Sequence, residues 1–131
     1  MIKIFLANDH YLFRNGVRTA FKKYAPHIQI IGEAASFAEV LNMLPQFPAD
    51  ILVIDDAMPD RSLLKIIPKI KAQYPSLKII INSMLNADHN DESKEIMKLA
   101  DGWVCFNSTE QDFVDTIENV ITTSKRRTEN I

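Results

Sequence analysis

The stretch Ile51-Leu52-Val53-Ile54-Asp55-Asp56-Ala57-Met58-Pro59 places two acids directly after an apolar run and closes with a proline. A run of this length, rich in β-branched residues, reads as a buried strand, and the proline stops it from continuing. A carboxylate therefore sits where a buried strand surfaces. The same step occurs near the N-terminus, where the run from Ile2 to Ala7 is closed by Asn8-Asp9-His10. In a parallel sheet the carboxyl ends of the strands share one edge, so Asp9 and Asp55 converge there although they lie far apart in the chain.

Three more apolar runs complete the pattern: Ile28–Gly32, Leu77–Ile81 and Trp103–Phe106. Helical spacing separates them. Phe13, Val17, Ala20, Phe21 and Tyr24 recur at three- and four-residue steps before Pro26, the stripe an amphipathic helix needs to cover a sheet. Ser36 with Glu39 forms a capping box ahead of Phe37, Val40, Leu41 and Leu44. The segment Leu63 to Tyr74 is a weaker helix, because Pro68 removes a backbone donor, and a kink or a late start is expected. Asp88 to Leu99 is polar and the least anchored. Thr109 to Thr123 carries Phe113, Val114, Ile117, Val120 and Ile121 behind a cap at Ser108 or Thr109. Strand and helix alternating in this way imply an α/β fold: a doubly wound, five-stranded parallel sheet of order 2-1-3-4-5, with its ligand crevice between strands one and three.

With 131 residues, 47% of them hydrophobic, the chain fits one domain with one core. That domain spans 1–123. Residues 124–131 lose the apolar periodicity and read as a frayed terminus or the start of a linker to an output domain outside this chain. The 15 basic residues do not outnumber the 17 acidic ones, so no nucleic-acid surface is implied. The lone Cys105, between Val104 and Phe106, reads as a core thiol in a reducing cytosol. No apolar run approaches the ~18 residues of a membrane span, and cytoplasmic placement is expected.

Taken in order, Ala7-Asn8-Asp9-His10, Gly32-Glu33-Ala34, Ala49-Asp50 leading to Asp55 with Met58-Pro59, and Ala100-Asp101-Gly102-Trp103 resemble the receiver domain of two-component response regulators. The resemblance runs from Ile2 to Ile121 and is closest to the subfamily whose receiver precedes a LuxR-type helix-turn-helix output domain. It implies that Asp55 is the phosphoacceptor, attacking a phosphohistidine on a sensor histidine kinase. It implies a magnesium ion held by Asp9, Asp55 and the backbone carbonyl of Ala57, with Asn8 acting indirectly. Ser83 matches the switch hydroxyl and Trp103 the switch aromatic. The domain would be a switch and not a turnover catalyst, a phosphoprotein of a transcriptional regulator that works as a homodimer and meets DNA only through an output domain.

The chain departs from the pattern in three places. The lysine expected three residues after the switch aromatic is Phe106, and no lysine lies between Leu99 and Ser124. A cation about 4 Å from a phosphoryl group is worth about 4 kcal/mol of Coulomb attraction at an effective dielectric near 20, before desolvation. Asn8 replaces one acid of the usual pair, and Asp60-Arg61-Ser62-Leu63 lacks the usual glycine. These departures favour an alternative, a phosphorylation-independent pseudoreceiver that serves as a dimerisation module. A flavin protein or small enzyme on the same topology is disfavoured, because the turn Asn8-Asp9-His10-Tyr11 lacks phosphate-cradling glycines and its acid repels a phosphate. Asp56 is read as a loop acid, His10 as a first-turn residue, and His27 and His89 as residues apart from any acidic cluster.

Overall fold

The computed structural model describes residues 1–58, 60, 62–83, 91–105 and 108–129, the side chains of 91–93 and 124–129 excepted. Strands β1 (Ile2–Ala7), β2 (Ile28–Ala34), β3 (Ile51–Asp55), β4 (Lys78–Ser83) and β5 (Gly102–Cys105) form one parallel sheet of order β2-β1-β3-β4-β5, as the alternation predicts. Helices α1 (Tyr11–Tyr24), α2 (Phe37–Met43), α3 (Leu63–Gln73), α4 (Asp91–Leu99) and α5 (Glu110–Glu129) connect and follow the strands, and a 3-10 turn at Leu44–Gln46 extends α2.

The period-2 alternation of the strands divides the core into two layers. Phe5, Ala7, Leu52, Ile54, Ile79 and Ile81 face one layer, built on Phe37 and Val40 of α2, Ile66 and Ile70 of α3 and Ile96 of α4. Ile4, Leu6, Ile51, Val53, Ile80 and Val104 face the other, where Phe21 of α1 meets Phe113 of α5 edge-on at 5.3 Å. Central strands buried on both faces explain the unbroken apolar runs. Gly102 is required by close approach: a Cβ there would stand 2.9 Å from Val120 Cγ2 and 3.1 Å from Thr116 Cγ2 of α5.

Several boundaries differ from the sequence reading. β2 continues past Gly32 to Ala34, because Glu33 and Ala34 still pair with Leu6 and Ala7 beyond an irregularity between Ile4 and Phe5. β4 starts at Lys78 and takes in the polar Asn82 and Ser83, which hydropathy alone does not assign to a strand. β5 begins at Gly102, and Phe106 lies outside the described residues. α3 starts without delay at Leu63 and runs unbroken through Pro68, which is exposed. Thr109 is the cap of α5: its Oγ1 accepts from Asp112 N–H at 3.0 Å, and Asp112 Oδ2 accepts from Thr109 N–H at 2.9 Å. The helix then continues past Thr123 to Glu129. At α2, Ser36 Oγ accepts from Glu39 N–H at 3.1 Å, while Glu39 Oε2 reaches one residue further back to Ala35 N–H at 3.0 Å.

Two aspartates at the amino edge hold the strands in register. Asp50 exchanges backbone bonds with Lys3 and Lys78, and its Oδ2 accepts from Lys3 N–H at 2.8 Å. Asp101 Oδ2 accepts from Ile79 N–H at 2.8 Å and from Lys71 Nζ at 2.7 Å. Each carboxylate takes a strand donor that would otherwise lack a sheet partner.

Candidate functional site at the carboxyl edge

The opposite edge gathers polar residues that the interior otherwise excludes. Asn8, Asp55, Asn82 and Ser83 are buried at the ends of β1, β3 and β4. Asp55 pairs laterally with Asn82, and Ala7 pairs with Ile54, so one step on brings Asn8 level with Asp55. Laterally paired residues share a face. Asn8, Asp55 and Asn82 therefore extend the rows of Leu6, Val53 and Ile80 on the α1 and α5 side. Ser83, two residues beyond Ile81, falls by the same alternation on the other side, where Trp103 packs partly buried against the α2–α3–α4 layer. Ser83 pairs with Cys105.

The Asp55 carboxylate is held by one oxygen. Oδ1 accepts from Ala57 N–H at 3.0 Å, which turns the chain away from the sheet, while Oδ2 is buried with no partner among the described residues. Burial pushes the Asp55 carboxyl up from 3.8 to about 6; Ala57 N–H opposes this, and the neighbouring Asp56 and Asp9 carboxylates add to it. Asp56 is thus more than a solvated loop acid. It is half-buried, its N–H donates to Asn82 O at 3.2 Å, and its Oδ1 is a second buried oxygen without a partner among the described residues. Asn8 Nδ2 is a third such atom. A buried polar atom left without any partner costs about 1–3 kcal/mol.

Asp9 is partly exposed, 3.6 Å from His10 Nε2. His10 occupies the cap position of α1 without a side-chain cap bond; its N–H donates to Asn8 Oδ1 at 2.8 Å. Arg14 donates to the Asn8 carbonyl and, with Arg18, pairs with Glu33 on β2. Another expectation is corrected. Cys105 is half-buried on an edge strand, its N–H bonded to Ser108 Oγ at 3.1 Å, and is not a core thiol. His27 stands apart from any acidic cluster among the described residues, its Nε2 lying 2.8 Å from the single acid Glu118 at Oε1. His89 and Pro59 lie outside the described residues, as Phe106 does.

Two residues escaped the sequence reading. Asn82 flanks Asp55 from β4, and the only signal for it is an amide directly after Ile79-Ile80-Ile81, the counterpart of Asn8 after its own run. Asp60 accepts from Phe37 N–H and Ala38 N–H, both at 3.1 Å, and so closes the first turn of α2 from the loop after β3. No local pattern could have announced a cap donated from another loop.

The donor set suits a hard cation. Two buried carboxylate oxygens lack donors among the described residues, and the like charges that raise Asp55 would be relieved by a divalent ion. Among the described residues no group of three or more His, Cys, Asp or Glu is placed to hold a metal. Magnesium is commonly bound by one or two carboxylates with waters and phosphate oxygens. No helix among the described residues is long and apolar enough to cross a membrane.

A doubly wound parallel sheet of this order is a flavodoxin-like α/β module, whose crevice lies at the carboxyl ends of its first and third strands. The chain belongs to the response regulator receiver domain family, which it matches over residues 4–118. It is similar to the uncharacterised transcriptional regulatory protein YhcZ of Bacillus subtilis, with 32% identity over 61% of this chain and 37% of that one. It is also similar to the nitrate/nitrite response regulator NarL of Escherichia coli, with 25% identity over 87% of this chain and 52% of that one. The chain thus spans about half the length, or less, of these curated relatives. The response regulator RcsB in a DNA complex shares the fold at a TM-score of 0.83 and 23% identity, over 93% of this chain and 61% of that one. The isolated receiver domain of RcsB from Salmonella enterica, with a beryllofluoride phosphomimetic, superposes at a TM-score of 0.77 with 24% identity, over 87% of this chain and 83% of that one.

Proposed function

We propose that this receiver domain is a phosphorylation-gated switch in a transcriptional response regulator, and that it accepts its phosphoryl group on Asp55 from a sensor histidine kinase. The observation that carries the reading is Asp55 Oδ2, a buried oxygen without a partner among the described residues, on a carboxylate whose other oxygen is anchored by Ala57 N–H. The anchored oxygen orients the group and the other is left as nucleophile. In the transfer the N–P bond of the phosphohistidine breaks, the Oδ2–P bond forms, and the released imidazole keeps the electron pair. Asp9, Asp55 and the Ala57 carbonyl would hold magnesium, which neutralises phosphoryl charge when bound. Burial of the acceptor keeps bulk water from the acyl phosphate.

The new group carries about −1.5 to −2 charge and three acceptor oxygens. It would draw Ser83 toward it, and Trp103, on the same side of the sheet, would follow. That displacement shifts an existing equilibrium toward the homodimer and releases the output domain to act on DNA. The domain performs no turnover of its own, and a cytoplasmic setting follows from the role.

Incubation with acetyl phosphate and magnesium, followed by intact mass, tests the proposal. One phosphoryl group is expected on the wild type and none on Asp55→Asn; an unmodified wild type, or equal labelling of the variant, overturns it. The second reading, a pseudoreceiver that dimerises without phosphorylation, is favoured by Asp56, a like charge set against Asp55 where the sequence supplies no lysine. Equal dimerisation with and without acetyl phosphate would support that reading.

A further inference from the structure

Asn8 is fully buried, and its amide has two differently occupied ends. Oδ1 accepts from His10 N–H at 2.8 Å. A backbone N–H can only donate, so that end of the amide is the oxygen and the other is the NH2 group. Nδ2 is therefore a buried donor, with no acceptor among the described residues. Continuing the β1–β3 register one step past Ala7 and Ile54 brings Asn8 level with Asp55, whose Oδ2 is a buried acceptor with no donor among the described residues. The two do not bond one another. A donor and an acceptor left open by the described residues at the ends of adjacent strands fit a group that bonds to one and accepts from the other.

We infer that Asn8 is a phosphoryl-binding residue, its Nδ2 donating to an oxygen of the phosphoryl group carried on Asp55 Oδ2. The inference rests on the reading of Asp55 as phosphoacceptor. The transfer itself is unchanged: the donor's bond to phosphorus breaks, the Oδ2–P bond forms, and the leaving group takes the electron pair. Asn8 contributes a hydrogen bond that exists only after transfer. The sequence agrees with this role. An acid at position 8 would add repulsion beside Asp55 in a chain that has Phe106 in place of a lysine, whereas an amide occupies the same space, carries no charge and supplies a donor.

Asn8→Asp is nearly isosteric and replaces the donor with an acceptor, and Asn8→Ala removes both ends. Beryllofluoride with magnesium serves as the phosphoryl probe and magnesium alone as the metal probe, each titrated by the fluorescence of Trp103, the single tryptophan. Thermal unfolding establishes that the variants are folded. Beryllofluoride is expected to bind about tenfold more weakly to both variants, the loss of one hydrogen bond. Magnesium alone should bind Asn8→Asp more tightly than the wild type. Beryllofluoride bound equally by wild type and variants, or bound more tightly by Asn8→Asp in step with magnesium, overturns the inference and leaves the phosphoacceptor reading intact. A wild type that takes neither beryllofluoride nor a phosphoryl group from acetyl phosphate overturns both.

Discussion

Aspartates stand at both ends of this sheet, and the two ends treat them in opposite ways. At the amino edge, Asp50 and Asp101 each accept from the backbone N–H of an adjoining strand, and Asp101 is also paired with Lys71. At the carboxyl edge, Asp55 and Asp56 each keep a buried oxygen without a partner among the described residues, and burial pushes Asp55 up to about 6. Residues of one type thus stabilise the fold at one end and burden it at the other. What separates them is the supply of donors among the described residues.

The sharpest way to break this contrast is Asp55→Asn. In magnesium-free buffer the folded wild type holds the Asp55 proton up to about pH 6, whereas an ordinary carboxyl releases it near 3.8. Between those values the folded state binds more protons than the unfolded one, so stability falls as pH rises through the window and levels off above it. The rise in pKa corresponds to about 3 kcal/mol at most. Asp55→Asn should be more stable than wild type above pH 6 and lose the slope between pH 4 and 6, read by urea unfolding across that range. A variant that unfolds earlier than wild type at pH 7 would contradict the assignment of strain to this edge.

Asp101→Ala should do the reverse, lowering stability by about 2 kcal/mol because Ile79 N–H loses a charged acceptor. Asp50→Ala should cost about 1 kcal/mol, since its bond to Lys3 N–H is exposed. Urea midpoints at pH 7 check both, and acetyl phosphate labelling of these two variants should equal that of the wild type. If either alanine variant proves as stable as the wild type, the amino-edge aspartates do not peg the register.

The sheet order and the identity of its elements were legible because buried parallel strands are apolar throughout and the helices between them carry stripes. Asp9 and Asp55 were legible because an acid at a strand end breaks such a run. The tasks of Asp50 and Asp101 were not: the motifs containing them are visible, but the donors they take lie on other strands, 47 residues away for Lys3 and 22 for Ile79. Asn82 was hidden because the apolar run before it ends at Ile81 while the strand does not. Asp56 looked like a loop acid because its burial depends on the turn at Ala57. The donor end of Asn8 is set by the local turn in which His10 N–H, two residues on, takes the amide oxygen, and its burial is set by the sheet edge.

One consequence of α5 reaches beyond the site. The helix has 20 residues, about 30 Å of rod, and Phe113, Val114, Ile117 and Val120 fasten its first part to the sheet, with Gly102 allowing contact at the near end of β5. Ile121 packs on the same layer and the backbone remains helical on to Glu129, so a tilt of the anchored part would be carried along one continuous rod. On a rigid rod the displacement produced by a tilt grows with distance from the pivot, about 1.5 Å of arm for each helical residue.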